Sequence, residues 1–470
     1  MSNQKSSAEL LEKVQTFRTK LPESVHDIYV ENLFRKAALI TRNVISKNKV
    51  RAIKDEKIDR ILTSRLWGFP AMIGLFTLVI WLTIIGANYP SSMLATLLVD
   101  DTYPLLKDWT SLWPWWLSGL LIDGMYLATA WVISVMLPPM AIFFPMFTLL
   151  EDLGYLPRVA FNLDGIFKKA GAHGKQSLSM MMGFGCNAAG IISTRIIDSP
   201  RERLIAIITN NFSLCNGRWP TIIILSSLFV GALAPAWFAG FATALSVVGI
   251  ALFGVFLTFV ASWMLNKTVL KGETSTFSLE LPPYRPPRIL KTLYTSLIDR
   301  TIFVLWRAIV FALPAGAVIW LSSNIMIDDI SIAVHTINLL DPVGWFIGLN
   351  GVILVAYIVA IPANEIVVPT ILMLTVLSTN IAGVGSGAGI MFEPEDIGTI
   401  SEVLNAGGWT VLTAVSVMFF SLMHNPCSTT IYTIYKETKS IKWTTLASLL
   451  PIGFGVIFLL VLAFIWRLVA

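Results

Sequence analysis

The chain has 470 residues, of which 55% are hydrophobic and only 13% are charged, and its formal net charge is +5. Its mean hydropathy of +0.72 is higher than a soluble core of this length needs. The composition therefore excludes an ordinary soluble protein and predicts a multi-pass, all-α membrane protein. The three cysteines are too few for a disulfide framework, which predicts free thiols.

The amino-terminal segment differs from the rest of the chain. Residues 1–65 hold 14 Lys and Arg against 8 Asp and Glu, and apolar residues recur there at three- and four-residue spacing. We expect residues 1–60 to form a helical spacer on the cytoplasmic side, because basic residues flank membrane spans on that side. The basic charge fits this flank and does not indicate nucleic-acid binding.

Apolar spans follow the spacer. Two of them, at about 176–198 and 349–383, are weak and interrupted. Seven stronger ones of about 20 residues lie at about 66–87, 117–149, 204–233, 238–266, 301–323, 409–435 and 443–468.

A Pro-rich cytoplasmic linker at 271–300 separates a first membrane half, 61–270, from a second, 301–470. Each half contains one interrupted span followed by a span that carries a cysteine. Corresponding broken segments in two halves are typical of an inverted repeat with its binding site near the membrane midplane. The sequence thus predicts two pseudo-symmetric halves with interrupted gate helices.

All three cysteines lie where Gly, Pro and Asn interrupt an apolar stretch. A helix break inside a bilayer leaves backbone groups unpaired unless it is buried in protein or lines a polar pathway. Thiols beside amide oxygens form a mixed soft and hard ligand set that suits a divalent transition metal such as Fe²⁺. We therefore predict metal ligands at Cys186, Asn187, Cys215, Asn216 and Cys427. Simple packing is the alternative, because Cys is often buried.

Glu365 is the sixth predicted ligand and lies between Pro362 and Pro369. An acidic side chain at the bilayer centre costs about 2.5–3.5 kcal/mol, so it should face a pathway or a partner. The alternative is a structural hydrogen bond to backbone groups that the prolines release.

Four further residues are candidates for the pathway or the gates: Met182, Asn364, His424 and Arg218. His424 precedes Cys427 by three residues, which predicts that both lie on one helical face, although a lone membrane His often serves helix packing. A cation at the pore wall would oppose cation passage, so Arg218 is expected to pair with Glu365 or with carbonyl groups at the break.

Nucleotide chemistry is not expected from this chain. The segment 171–176 lacks the glycine spacing and the hydroxyl of a phosphate-binding loop. We expect neither an enzyme nor a resident cofactor, with the metal ion as transported substrate.

Six motifs occur in a fixed order along the chain: Asp59-Arg-Ile-Leu-Thr-Ser-Arg65, the segment 150–161, Gly183-Phe-Gly-Cys-Asn-Ala-Ala189, the segment 197–204, Pro362-Ala-Asn-Glu-Ile-Val367 and Pro426-Cys-Ser-Thr-Thr430. This ordered set resembles the membrane part of FeoB, the bacterial ferrous iron transporter. The resemblance implies Fe²⁺ transport across a bacterial plasma membrane through two gate regions. It places Cys186, Asn187, Cys215, Glu365 and Cys427 on the iron path.

The sequence departs from the family pattern at two places. Ala188-Ala189 stands where many relatives have Val-Pro, and the family's amino-terminal G-domain is missing. The resemblance therefore implies a separately encoded GTPase that docks on residues 1–60, together with other small cytoplasmic Feo-system proteins. Two alternatives stay open: transport of Mn²⁺, Zn²⁺ or an organic solute, and a metal-sensing membrane scaffold that transports nothing.

Overall fold

The computed structural model describes residues 25–44, 49–64, 66–170, 174–235, 237–272, 284, 288–379, 381, 387, 389–394 and 396–469. The predicted spacer residues 1–24 and 45–48, and most of the predicted linker, lie outside these ranges. Apart from one hairpin of two strands with two residues each, every regular element in the described part of the chain is helical, which confirms the predicted all-α class.

The helices are named here in chain order. The first half holds α1 (Val25–Val44), α2 (Lys49–Leu62), α3 (Gly68–Trp109), α4 (Trp115–Asp152), α5 (Tyr155–Lys169), α6 (Gln176–Gly185), α7 (Asn187–Ser193), α8 (Pro200–Thr209), α9 (Trp219–Leu225) and α10 (Ala239–Lys267). The second half holds α11 (Ile289–Asn324), β1 (Met326–Ile327), β2 (Ile330–Ser331), α12 (Ile332–Phe346), α13 (Gly351–Val359), α14 (Val367–Thr379), α15 (Ile397–Ala406), α16 (Val411–Met423), α17 (Ser428–Thr438) and α18 (Ile441–Val469).

Six helical segments in the described part of the chain are long and apolar enough to cross a membrane, and a seventh span results if α12 and α13, bent by 110°, count as one. The chain is therefore a multi-pass membrane protein. The first span extends further than its apolar pattern predicts: α3 runs to Trp109, whereas the predicted span ends at about residue 87. Its continuation passes through a π-helical turn at Thr96–Thr102.

Each half contains two broken helices. In the first half, Cys186 separates α6 from α7, and the segment 213–215 separates α8 from α9. Within the apolar span expected at 204–233, Ser213 and Cys215 are both extended and end the helical ladder, which confirms the interruption predicted around Cys215. In the second half, the breaks lie between α13 and α14 and between α16 and α17.

The backbone at corresponding breaks matches between the halves. Cys186 has φ −153° and ψ 122°, and Ala363 has φ −150° and ψ 119°. Cys215 has φ −75° and ψ 165°, and Cys427 has φ −63° and ψ 159°. These pairs fit the predicted repeat, because the same local geometry recurs at the first and second break of each half.

Helix α4 lies between the two halves. It packs against α3 and α11, and it approaches α11 closely, since a Cβ added at Gly316 would come within 2.2 Å of the Gly124 carbonyl oxygen. Small residues allow such close helix crossings in membranes. Pro138 and Pro139 lie inside α4 and remove two donors from its hydrogen-bond ladder. This part of α4 faces the breaks.

Candidate metal site

The four breaks converge on one cavity. All six predicted ligands line it: Cys186, Asn187, Cys215, Asn216, Glu365 and Cys427. The cavity has a volume of about 20 Å³, which is room for about one water-sized sphere. A metal ion would therefore have to shed most of its hydration shell and take its ligands from the walls.

Cys186 and Asn187 occupy the break between α6 and α7. The end of α6 packs tightly on α4, because a Cβ at Gly185 would come within 2.0 Å of the Phe143 ring. The Asn187 carbonyl oxygen accepts a hydrogen bond from the Asn210 side-chain nitrogen at 3.0 Å, and a Cβ at Gly183 would come within 2.9 Å of the Ser213 side chain. These contacts connect the first break of this half to the second.

Arg218, three residues after Cys215, is fully buried. Its guanidinium donates to the carbonyl oxygens of Asn211 at 2.9 Å and Leu422 at 3.1 Å, and to the Asn211 side-chain oxygen at 3.0 Å. The sequence left Glu365 and the carbonyl groups at the breaks open as partners of Arg218. The structure shows hydrogen bonds to the carbonyl groups. Arg218 thus joins the second breaks of both halves and does not line the cavity.

Asn364 and Glu365 come from the first break of the second half. Asn364 donates to the Cys215 sulfur at 3.8 Å and pairs with the His424 ring at 3.1 Å between Oδ1 and Nε2. The carboxylate of Glu365 lies against the backbone of the first half, since a Cβ at Gly217 would come within 2.4 Å of Oε1. The cavity is therefore built between the halves.

The prediction that His424 and Cys427 share a helical face is wrong. Helix α16 ends at Met423, and His424 is extended with ψ 175°, whereas Cys427 precedes α17. The intervening Pro426 cannot continue a helical ladder. His424 is buried behind Asn364 and holds its amide, so it positions a cavity residue without lining the cavity itself.

The remaining predicted residue, Met182, is buried and lies outside the cavity lining. Its carbonyl oxygen accepts a hydrogen bond from the Cys186 amide at 3.0 Å, so its backbone supports the break.

The thiols are free, as the cysteine count predicts. Among the described residues, no group of three or more His, Cys, Asp and Glu is close enough to hold a metal ion. A site in this cavity would therefore need the amide oxygens or other donors as well as the thiols and Glu365. The ligand roles of the six residues stay predictions.

Sequence reasoning missed several residues of the cavity wall, namely Met136, Met140, Ala308, Thr429 and Thr430. Thr430 is 3.2 Å from the Cys427 sulfur through its hydroxyl oxygen. The two methionines lie in a continuous apolar stretch, and only the neighbouring Pro138-Pro139 pair could have indicated that this part of α4 is unusual.

A second, mostly apolar cavity adjoins the first. It has a volume of about 10 Å³ and shares Met140, Gly185 and Asn216 with the first cavity, while Ile80 and Thr83 of α3 contribute to its other side. The two cavities therefore meet beside the first break, with Met140 at their junction.

Two salt-bridged contacts connect elements that carry several basic residues. Glu437 of α17 accepts hydrogen bonds from Arg195 at 3.0 Å and Arg203 at 2.6 Å, which joins the two halves. Arg158 of α5 holds Asp59 of α2 through two contacts of 3.0 and 3.3 Å.

Asp59 is also a hydrogen-bond acceptor for Tyr284 at 2.7 Å. Burial alone would raise the pKa of Asp59, but the hydrogen bonds from Arg158 and Tyr284 and the positive charge of Arg158 hold it below its ordinary value. Burial and the hydrogen bond to Asp59 raise the pKa of Tyr284 to about 12. The contact therefore keeps an ionised Asp59 at neutral pH.

Two family models match the chain. One, described as nucleoside recognition, matches twice, over residues 133–229 and 305–441. The other, described as ferrous iron transport protein B C terminus, matches residues 247–299. Each half thus contains one copy of the first model, and all four breaks lie within the two copies.

Relatives extend the similarity over nearly the whole chain. The Fe(2+) transporter FeoB of Staphylococcus aureus (strain COL) is 28% identical over 456 residues, 95% of this chain and 65% of that protein. The Fe(2+) transporter FeoB of Campylobacter jejuni is 25% identical over 421 residues, 86% of this chain and 64% of that protein.

A third relative, from Porphyromonas gingivalis, is a fusion of Fe(2+) transport protein A with Fe(2+) transporter FeoB. It is 31% identical over 243 residues, 49% of this chain and 26% of that protein. The chain spans about two thirds of the length of the first two relatives. No solved structure matches it.

Proposed function

We propose that this chain, which belongs to the FeoB family of ferrous iron transporters, carries Fe²⁺ across a bacterial plasma membrane through the cavity between its two halves. One observation carries the proposal: four helix breaks bring three thiols, amide groups and one carboxylate to a single cavity. Thiols select borderline and soft metals, and carboxylate and amide oxygens suit divalent ions.

The size of the cavity supports the same substrate class. An ion that enters must exchange water for wall ligands, and Mg²⁺ loses its water reluctantly and prefers oxygen ligands. The cavity thus favours a transition metal over the abundant Mg²⁺. We propose no resident cofactor and no chemical reaction, so the protein acts as a transporter and not as an enzyme.

We further propose that the amino-terminal helices lie on the cytoplasmic side. Loops rich in Lys and Arg face the cytoplasm, and two such loops, at 195–203 and 436–442, meet through Arg195, Arg203 and Glu437. Helix α2 reaches the membrane part through Asp59 and Arg158. Large apolar side chains of α1, such as Phe34 at 42% and Ile40 at 65% exposure, offer a surface for a partner.

Proteins of the iron-transport system are the partners we propose for this surface. The fusion relative supports a protein similar to Fe(2+) transport protein A as a partner, because in that relative the two proteins form one chain. A GTPase that acts on α1 and α2 would influence the cavity through the Asp59–Arg158 contact, provided its nucleotide states bind the two gate conformations differently.

Flux through purified protein in proteoliposomes tests the proposed function. Radiolabelled Fe²⁺ is offered outside under reducing conditions, with Mn²⁺, Zn²⁺ or Mg²⁺ as competitors. The proposal expects Fe²⁺ accumulation above that of protein-free vesicles and no competition from Mg²⁺. Absence of flux, with metal binding retained, would support a sensing scaffold instead, and stronger uptake of Mn²⁺ or Zn²⁺ would change the substrate.

A further inference from the structure

We infer that Met136 and Met140 form a thioether wall of the metal cavity and set its preference for soft and borderline cations. This inference rests on the proposed function, because it assigns two further ligands to the same cavity. Both side chains line the cavity and are buried, with 8% and 3% exposure.

The two methionines are positioned as a pair. They are four residues apart on α4, so they lie one above the other on the same helical face. Pro138 and Pro139 lie between them. Cys186, Cys215 and Cys427 line the same cavity, so five sulfur-containing residues from α4 and the breaks line a space of about one water molecule.

The donor count favours a ligand role for this pair. In the described part of the chain, His, Cys, Asp and Glu do not form a group of three that could hold a metal, so the cavity needs donors of another type. Thioethers are neutral, soft donors that select metals such as Cd²⁺ and Cu⁺ and bind Mg²⁺ or Mn²⁺ poorly. A thioether adds affinity for Fe²⁺ without adding negative charge, which helps the ion leave again.

Met140 lines two cavities, whereas Met136 lines only one of them. It lines the adjoining apolar cavity as well, where α3 contributes Ile80 and Thr83. An ion that passes between the two cavities meets Met140 at their junction. Met140 is therefore the methionine whose loss should affect the rate of ion movement most.

The alternative is that both methionines only fill space, as Met often does in cores. Leucine separates these roles, because Met-to-Leu exchange conserves volume and usually costs less than about 1.5 kcal/mol of stability. Met146 provides the matched control, since it lies on the same helix, packs partly buried against the core and lies outside the linings of both cavities.

The test measures Cd²⁺ and Mn²⁺ binding to the purified full chain by titration calorimetry. For the variant with Met136→Leu and Met140→Leu, we expect the Kd for Cd²⁺ to rise about 10-fold, the lower end of what lost supporting groups cost a metal site. The Kd for Mn²⁺ should stay unchanged, and Met146→Leu should match the wild type for both metals.

An unchanged Cd²⁺ affinity in the double variant, or an equal loss for Cd²⁺ and Mn²⁺, would overturn the inference. If the double variant does not fold, the two single variants answer the same question with smaller shifts. Cd²⁺ binding is read without transport, so failure of the thioether wall is distinguishable from failure of the proposed function, which shows as absent Fe²⁺ flux in the wild type.

Discussion

Cys186 and Ala363 have nearly the same backbone conformation, with φ and ψ of −153° and 122° and of −150° and 119°, and an asparagine follows each of them. Both residues line the cavity between the halves. Ala363 thus holds in the second half the position that Cys186 holds in the first. The cavity carries three thiols where the repeat offers positions for four.

Ala363→Cys should therefore place a fourth thiol at the cavity. Because thiolates bind soft metals tightly, we expect tighter Cd²⁺ binding and slower Fe²⁺ release into the vesicle lumen. Ala360→Cys is the matched control, because Ala360 is equally buried in the same break but does not line the cavity. Equal Cd²⁺ affinities for the two variants would contradict the equivalence of Cys186 and Ala363.

We predict that Gly217 does not tolerate a side chain, because the Glu365 carboxylate occupies the space beside it. A Cβ at Gly217 would come within 2.4 Å of the Glu365 Oε1, so Gly217→Ala must displace the carboxylate from its place in the cavity. We expect strongly reduced Fe²⁺ uptake at normal expression. Gly240→Ala is the control: its Cβ would meet nothing within 4 Å, and Ala favours a helix over Gly by about 1 kcal/mol. Normal uptake by Gly217→Ala would show that the carboxylate position does not matter.

We predict that the Glu437 side chain holds the two halves of the membrane part together. Its side chain is 5% exposed and pairs with Arg195 and Arg203. Glu437→Gln should lower the free energy of unfolding by about 1–3 kcal/mol, as expected for charged hydrogen bonds that are partly open to solvent. Thermal unfolding in detergent measures this, with the exposed Glu402→Gln as control. Equal melting temperatures for both variants would refute the role.

The contact between α2 and α5 should depend on pH through Asp59. Its pKa is lower in the folded protein than its ordinary value of 3.8, so the stabilisation is complete above that value and is lost as the pH falls through the folded pKa. Measured against the intrinsic rate at each pH, hydrogen exchange of the amides in α2 should therefore stay slow at neutral pH and accelerate only below about pH 4.

Asp59→Asn should show the fast exchange at every pH. Glu56→Gln, which removes only an exposed contact with Arg60 at 4.0 Å, should behave as the wild type. Slow exchange in Asp59→Asn at neutral pH would mean that other contacts hold α2.

The sequence predicted the positions of the helix breaks better than the boundaries of the helices. Gly, Pro and Asn around the three cysteines and the prolines around Glu365 indicate the four breaks, and all six ligand candidates line the cavity where these breaks meet. The apolar stretch 204–233 forms short helices on either side of the break around Cys215. The His424–Cys427 spacing misled because Pro426 ends the helix between them. Met136 and Met140 could not be predicted, since a methionine in an apolar helix carries no polar signal and only the packing of α4 on the breaks exposes its role.

Radiolabelled Fe²⁺ uptake by three reconstituted proteins tests whether the ion passes through this cavity: the wild type, Cys186→Ser with Cys215→Ser, and Glu365→Gln. Serine replaces a soft ligand with a hard one, and glutamine removes the charge at nearly constant shape. We expect both variants to insert and fold normally but to lose most of their Fe²⁺ uptake. A Ser193→Ala control on α7 should keep the wild-type uptake. Uptake at the wild-type rate in both variants would contradict a metal path through this cavity.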